Sequence, residues 1–244
     1  MAAVPKAALI AVALAMVATP ASSTRVQPMM YDLTPFGSGS NQDVRVENNS
    51  DRELPVELHV ERRFIAPDGN ETRKPAEDDF LIFPPQGNLA PNSFQTFRVR
   101  YVGEPTIDKT RLYVVTVAQL PLQTGSAPTG VQILVSLGTS VAVTPPQARP
   151  AIAVTGVTRD AKNPDLLNVT LANTGGAYAR LYNGSLTISS GADRVVLDDA
   201  TFRTALSQPL IEAQSTRTIS LPIPATLKAR DLTAEYTYAA PSRL

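Results

Sequence analysis

The 244 residues contain no cysteine, no tryptophan and one histidine, His59. Without cysteine there is no disulfide, no thiolate nucleophile and no thiolate metal ligand. With one histidine, a zinc site would need three carboxylates, and a Ser-His-Asp site would have to use His59. His59 lies between Leu58 and Val60 on the outward parity of an alternating run, which predicts a solvated surface residue. No Gly-x-Ser-x-Gly elbow is present to support a hydrolase site. An excess of charge is also missing. Lys plus Arg and Asp plus Glu both number 22, for a net charge of zero, which argues against a nucleic-acid partner. The acidic clusters Glu77-Asp78-Asp79 and Asp198-Asp199 lack the alternating carboxylates and central glycine of a calcium loop. The sequence thus offers no catalytic residue, metal site, cofactor or small-molecule substrate. Binding is the function that remains.

Long apolar runs are scarce as well. The only one is Ala7–Ala18, twelve residues, too few to span a bilayer. Lys6 precedes it, and the small residues Thr19, Ala21 and Ser23 follow. This order predicts a cleavable secretory signal over residues 1–23, cut after Ala21 or Ser23. An exported chain without cysteine must have domains large enough to fold without staples. A bacterial periplasm is the simplest compartment for it.

What the sequence does have is 21 Pro and 13 Gly, frequent Val and Thr, and no sustained 3.6-residue period. The pattern predicts an all-β protein. Two halves, 24–145 and 152–244, repeat one grammar across a Pro-rich linker at 146–151. In the first, Val44–Asn48 alternates and then turns at Asn49-Ser50-Asp51. In the second, Val169–Asn173 alternates and turns at Thr174-Gly175-Gly176. The stretch Ile211–Leu221 mirrors Leu89–Val99. Short strands with turn signals at this spacing predict a β-sandwich in each half. Leu112–Leu120 is apolar on both faces, as a central strand should be.

The longest alternating run is residues 131–143, where odd positions read Val131, Ile133, Val135, Leu137, Thr139, Val141 and Val143. It would extend roughly 40 Å, about twice an ordinary strand. Such a strand has more apolar face than one small domain covers, so its surplus is a candidate surface for another chain.

Several segments in this order are similar to the periplasmic pilus (fimbrial) chaperones of the chaperone-usher pathway. Val26–Leu33 resembles the family's first strand, and Val44–Asp51 its strand followed by an Asn-rich turn. Ile82-Phe83-Pro84-Pro85, Leu89-Ala90-Pro91 and Gln95–Val99 resemble its central run. Arg111-Leu112-Tyr113 and Gln119-Leu120-Pro121 resemble the signature ahead of the donor strand. The resemblance covers nearly all of the sequence after residue 23. It implies two immunoglobulin-like sandwiches at an angle with a cleft between them. It also implies a role in binding incomplete pilus subunits and delivering them to an outer-membrane usher, without catalysis or cofactor.

On this reading Val131, Ile133, Val135 and Leu137 enter the subunit's open groove, and Leu134 packs inside the first domain. The family's carboxylate-anchoring cleft pair is missing. Ser140 stands where its donor-strand lysine falls, and no base occurs between Met29 and Asp32. Arg25 and Arg100 are the candidate replacements. Arg98 and Asp231 are the candidate interdomain pair, with Thr110 where the family has an acid. Self-association of the free chaperone would be a way to cover the strand. The alternative is a secreted structural β-sandwich protein, a pilus subunit or adhesin. An esterase or glycosidase is disfavoured by the missing catalytic clusters.

Overall fold

A computed structural model describes residues 24–121, 133–206, 208–223, 226–227 and 231–239. The expected signal segment and Val131 lie outside the described residues. Ten strands make up the first unit: β1 Thr24–Gln27, β2 Met30–Leu33, β3 Asn41–Asn48, β4 Leu54–Ile65, β5 Glu71–Pro75, β6 Phe80–Phe83, β7 Gln86–Leu89, β8 Ser93–Tyr101, β9 Arg111–Gln119 and β10 Ser136–Val143. They form two sheets. One has the order β1-β3-β8-β6, and the other β2-β10-β9-β4-β5 with β7 on β4. Strands β1 and β2 flank Pro28 and belong to different sheets, so the first strand switches sheet part-way along.

Alternation explains the packing. On β3, Val44 and Val46 point inward, while Asp43, Arg45 and Glu47 point out. On β9, Tyr113, Val115 and Val117 join the sandwich core, while Leu112 joins a smaller cluster toward the second unit. This is why β9 is apolar on both faces.

The second unit has β11 Ile152–Arg159, β12 Leu166–Asn173, β13 Ala179–Arg180, β14 Gly184–Ser190, β15 Asp193–Leu197, helix α1 Asp199–Ala205, β16 Leu210–Ile211, β17 Ser215–Pro222 and β18 Thr233–Tyr238. Its sheets are β11-β12-β17, β15-β14-β18 and the short pair β13-β16. Leu167, Val169, Leu171, Leu186, Ile188, Phe202, Ile219 and Leu221 build its core, which shares no residue with the first. Helix α1 was not expected from the sequence. Its seven residues make two turns, too short for a 3.6 period to emerge. Asp198 caps it through a bond from Thr201 N–H, and Phe202 pins it to the core.

One device recurs in both units. Asn48, at the end of β3, is buried and donates to the carbonyls of Arg52, Leu89 and Ala90 at 2.7, 3.1 and 3.0 Å. Asn173, at the end of β12, is buried and donates to Ala177 and Glu212 at 2.8 and 2.9 Å. Each closes a turn that holds a non-glycine residue at positive φ, Asn92 at 52° and Gln214 at 54°.

Candidate functional site

The end of β10 is the place where the first sandwich runs out of cover. Thr139, Val141 and Val143 are fully buried, and the Thr139 hydroxyl donates to Val115 O at 3.1 Å. Leu137 is half-buried against the same core. The parity then continues past the domain: Val135 is 45% exposed and Ile133 79%. A row that begins as core thus ends in solvent.

Backbone pairing runs out in the same stretch. Strand β2 lies parallel to β10 only from Ser140–Met30 to Val143–Leu33, whereas β9 pairs with β10 from Ser136 onward. Among the described residues, 136–139 therefore have a strand on one side only. A groove of about 620 Å³ opens beside them, lined by residues 24–29 and Leu137. Met29, 48% exposed, is part of that lining, and the next residue, Met30, is 53% exposed. An unpaired edge beside a row of exposed aliphatic side chains has the makings of a strand-addition site.

Leu134 corrects an expectation. It is 45% exposed rather than packed inside the first domain. The odd positions of β10 face the core, so the even ones face away from it. Ala142 on that face is buried only because the second unit covers it, in a cluster with Ile65, Leu112 and Leu210.

The two candidate carboxylate anchors are not brought together. Arg25 lies opposite Glu47 and borders the groove, whereas Arg100 lies opposite Asn41. Six positions on β3 separate them, roughly 20 Å. Both belong to the β1-β3-β8-β6 sheet, whereas the strand residues bonded to the second unit, Asp32, Arg63 and Ile65, are on the other sheet.

The Arg98–Asp231 pair also fails to form. Arg98 projects outward from β8, directly opposite Asp43 on β3, and bonds it at 2.9 and 3.2 Å. The guanidinium holds the Asp43 carboxyl below its ordinary range. Asp231 is a separate, exposed residue ahead of β18. A cross-strand neighbour is always within reach, and here it captured the arginine.

The junction instead turns on Arg63, which sequence reasoning passed over. It is 6% exposed on the outward face of β4. Its Nε and Nη2 each reach Glu71 at 2.7 Å, its Nη1 donates to Ser140 at 3.3 Å, and its Nη2 also donates to Gln208 of the second unit. Arg63 thus ties the β4–β5 hairpin, β10 and the second unit at one point. It reaches the position where the family's donor-strand lysine would fall. The missed signal was its parity: a charged residue on an otherwise outward-facing row, four residues before Pro67 of the following turn.

Further contacts complete the junction. Tyr178 donates to Asp32 at 2.5 Å, and Arg180 lies 3.6 Å from the same carboxylate. Thr110 bonds Thr144 at 3.0 Å and accepts from Tyr178 N at 3.2 Å, a neutral hydroxyl where an acid was expected. Thr218 N and Arg217 Nη1 both donate to Pro67 O, at 2.8 and 3.1 Å. Glu212 accepts from Ile65 N, and burial raises its carboxyl pKa. His59 is a surface residue, 2.8 Å from Glu57.

Residues 35–149 match the family described as pili and flagellar-assembly chaperone, PapD N-terminal domain. The first unit belongs to that family. No curated protein matches the sequence. Among solved structures, a class 5 fimbriae chaperone, CfaA, is similar at 13% identity and TM-score 0.57, over 90% of this chain and all of that one. The E. coli chaperone DraB is similar at 21% and 0.50, over 84% of this chain and 86% of that one. A Salmonella enterica SafA pilin–SafB chaperone complex gives 17% and 0.51, again over 84% and 86%. At these identities the likeness is one of fold, and it spans both units. The PapD-type match spans β3 through β10, so the exposed row at Ile133, Val135 and Leu137 lies inside the matched region.

Proposed function

We propose that this protein is a pilus-assembly chaperone that binds subunits by lending them the exposed N-terminal part of β10. The observation that carries the reading is the core-facing row of β10 running into solvent at Ile133 and Val135, beside an edge without a strand. The donor row is Val131, Ile133, Val135 and Leu137. A subunit lacking its last strand would pair with residues 136–139 and cover this row. Covering Ile133 and Val135 contributes about 3–5 kcal/mol, an upper estimate because the free chain already shields part of Val135. The work is binding rather than catalysis. It takes place in the periplasm after removal of residues 1–23, and an outer-membrane usher receives the complex.

Three structures of similar fold support the reading by what they contain: a class 5 fimbriae chaperone, an E. coli chaperone and a pilin in complex with its chaperone. The family's cleft anchor is not reproduced by Arg25 and Arg100. Arg63 beneath Ser140 is buried and already engaged by Glu71, Ser140 and Gln208, so it does not replace that anchor. Neighbouring genes for an usher and small secreted sandwich proteins identify the subunits to use. Co-expression with such a subunit should yield an equimolar periplasmic complex and a subunit resistant to degradation. A subunit that accumulates equally well without the chain would overturn the assignment.

A further inference from the structure

The first sheet carries a second exposed apolar surface, on the side away from the β10 groove. Strand β6 is its last strand, so among the described residues one backbone edge pairs with no other strand. Leu81 and Phe83 both point outward from it, 57% and 72% exposed. Arg100 stands directly opposite Leu81, and Arg98 opposite Phe83. Asp43 neutralises Arg98. Arg100 has no carboxylate partner among the described residues and faces Asn41 on its other side. The patch therefore combines a free strand edge, two large apolar side chains and one uncompensated cation.

Edge strands that must stay unpaired usually carry lysine, an internal proline or a bulge. β6 is short, at four residues, but it carries none of these, and the first proline, Pro84, follows the strand. Two neighbouring large apolar residues at this exposure on an edge mark a contact surface rather than scattered surface hydrophobics.

We propose that β6 is a docking edge for an extended segment of another protein, one that alternates apolar and acidic side chains. The extended form matches the open backbone edge. The apolar side chains cover Leu81 and Phe83, and a carboxylate pairs with Arg100. The surface is on a different sheet from the β10 row, so both can be occupied at once and each can fail alone.

The test uses the mature ¹⁵N-labelled protein and an eight-residue peptide alternating Asp with Leu and Phe. A counterpart with Lys in place of Asp is the control. The acidic peptide should shift the amide signals of residues 80–83 and 98–100, and the lysine peptide should not. Phe83→Ser should weaken binding at least about tenfold, the usual loss for an aromatic anchor. Arg100→Glu should reverse the preference toward the lysine peptide. Both positions are exposed, so each variant should keep the parent's circular dichroism and melting curve, and either one alone suffices. Ile133→Asp should leave peptide binding unchanged. Equal binding of the two peptides, shifts confined to residues 133–140, or no shift would overturn the proposal. So would a dimer in sedimentation that Phe83→Ser disperses, because the occupant would then be a second copy.

Discussion

The two units share a frame and differ at their last strands. Both end an alternating strand in a buried asparagine, Asn48 or Asn173, whose amide reaches a carbonyl 41 or 39 residues later. Both follow with a turn at positive φ and a long strand, β8 or β17. The last strand of the second unit, β18, lies along β14 over all six residues and stops. The last strand of the first, β10, has a row that leaves its own core at Val135 and Ile133, one and three residues before the strand begins. What the units have in common is what a sandwich needs. What only the first has is surface beyond that need, and this is where the function is assigned.

The comparison can be broken first at the point that joins the units. Arg63→Met takes the buried cation from Glu71 Oε2 and leaves only the half-exposed Arg73 on Oε1. The expected loss is about 3 kcal/mol, because Ser140 and Gln208 lose their charged donor as well. Urea unfolding measures the loss, and small-angle scattering should show the units changing their mutual angle. Arg63→Met with unchanged stability and shape would mean that the apolar contacts and Pro67 bonds alone hold the units.

Next, the shared frame should fail alike in both halves. Asn48→Ala and Asn173→Ala each strand buried carbonyls without donors. Each should cost on the order of 3 kcal/mol, read from denaturant midpoints with the unfolding of each unit followed separately. A large loss at one and none at the other would end the equivalence.

The smallest effect sharpens the comparison. Asn tolerates the left-handed region, but Gln does not. Gln214→Gly should therefore stabilise the second unit by roughly 1 kcal/mol, while Asn92→Gly should change the first by less. Melting temperatures of the two variants decide it.

Much of this frame was legible in the sequence. Alternation around Val44, Val46, Val169 and Leu171 gave the faces, and the turns after Asn48 and Asn173 gave the repeat. A two-residue period marks inside and outside without knowing the neighbours. The junction was not legible for the same reason. Arg98 has the outward parity of an interdomain residue, but the strand residues bonded to the second unit are on the other sheet, and only the three-dimensional arrangement shows that. Arg63 has the same outward parity as His59 on the same strand. One is buried and the other exposed because the second unit covers only one end of β4. Leu134 was misplaced because alternation gives two faces and does not say which one is core. Thr139, Val141 and Val143 settle it. Helix α1 was too short to leave a period.

The most direct test of the account is capture of a subunit by the Ile133→Asp protein. Ile133 is the most exposed of the row, at 79%, so the substitution should leave folding and melting temperature unaltered. A charge set into an apolar groove should abolish the complex and leave the subunit to periplasmic degradation, whereas Arg98→Ala should capture it as the parent does. Protection at the parent's level by Ile133→Asp protein would contradict strand donation from this segment.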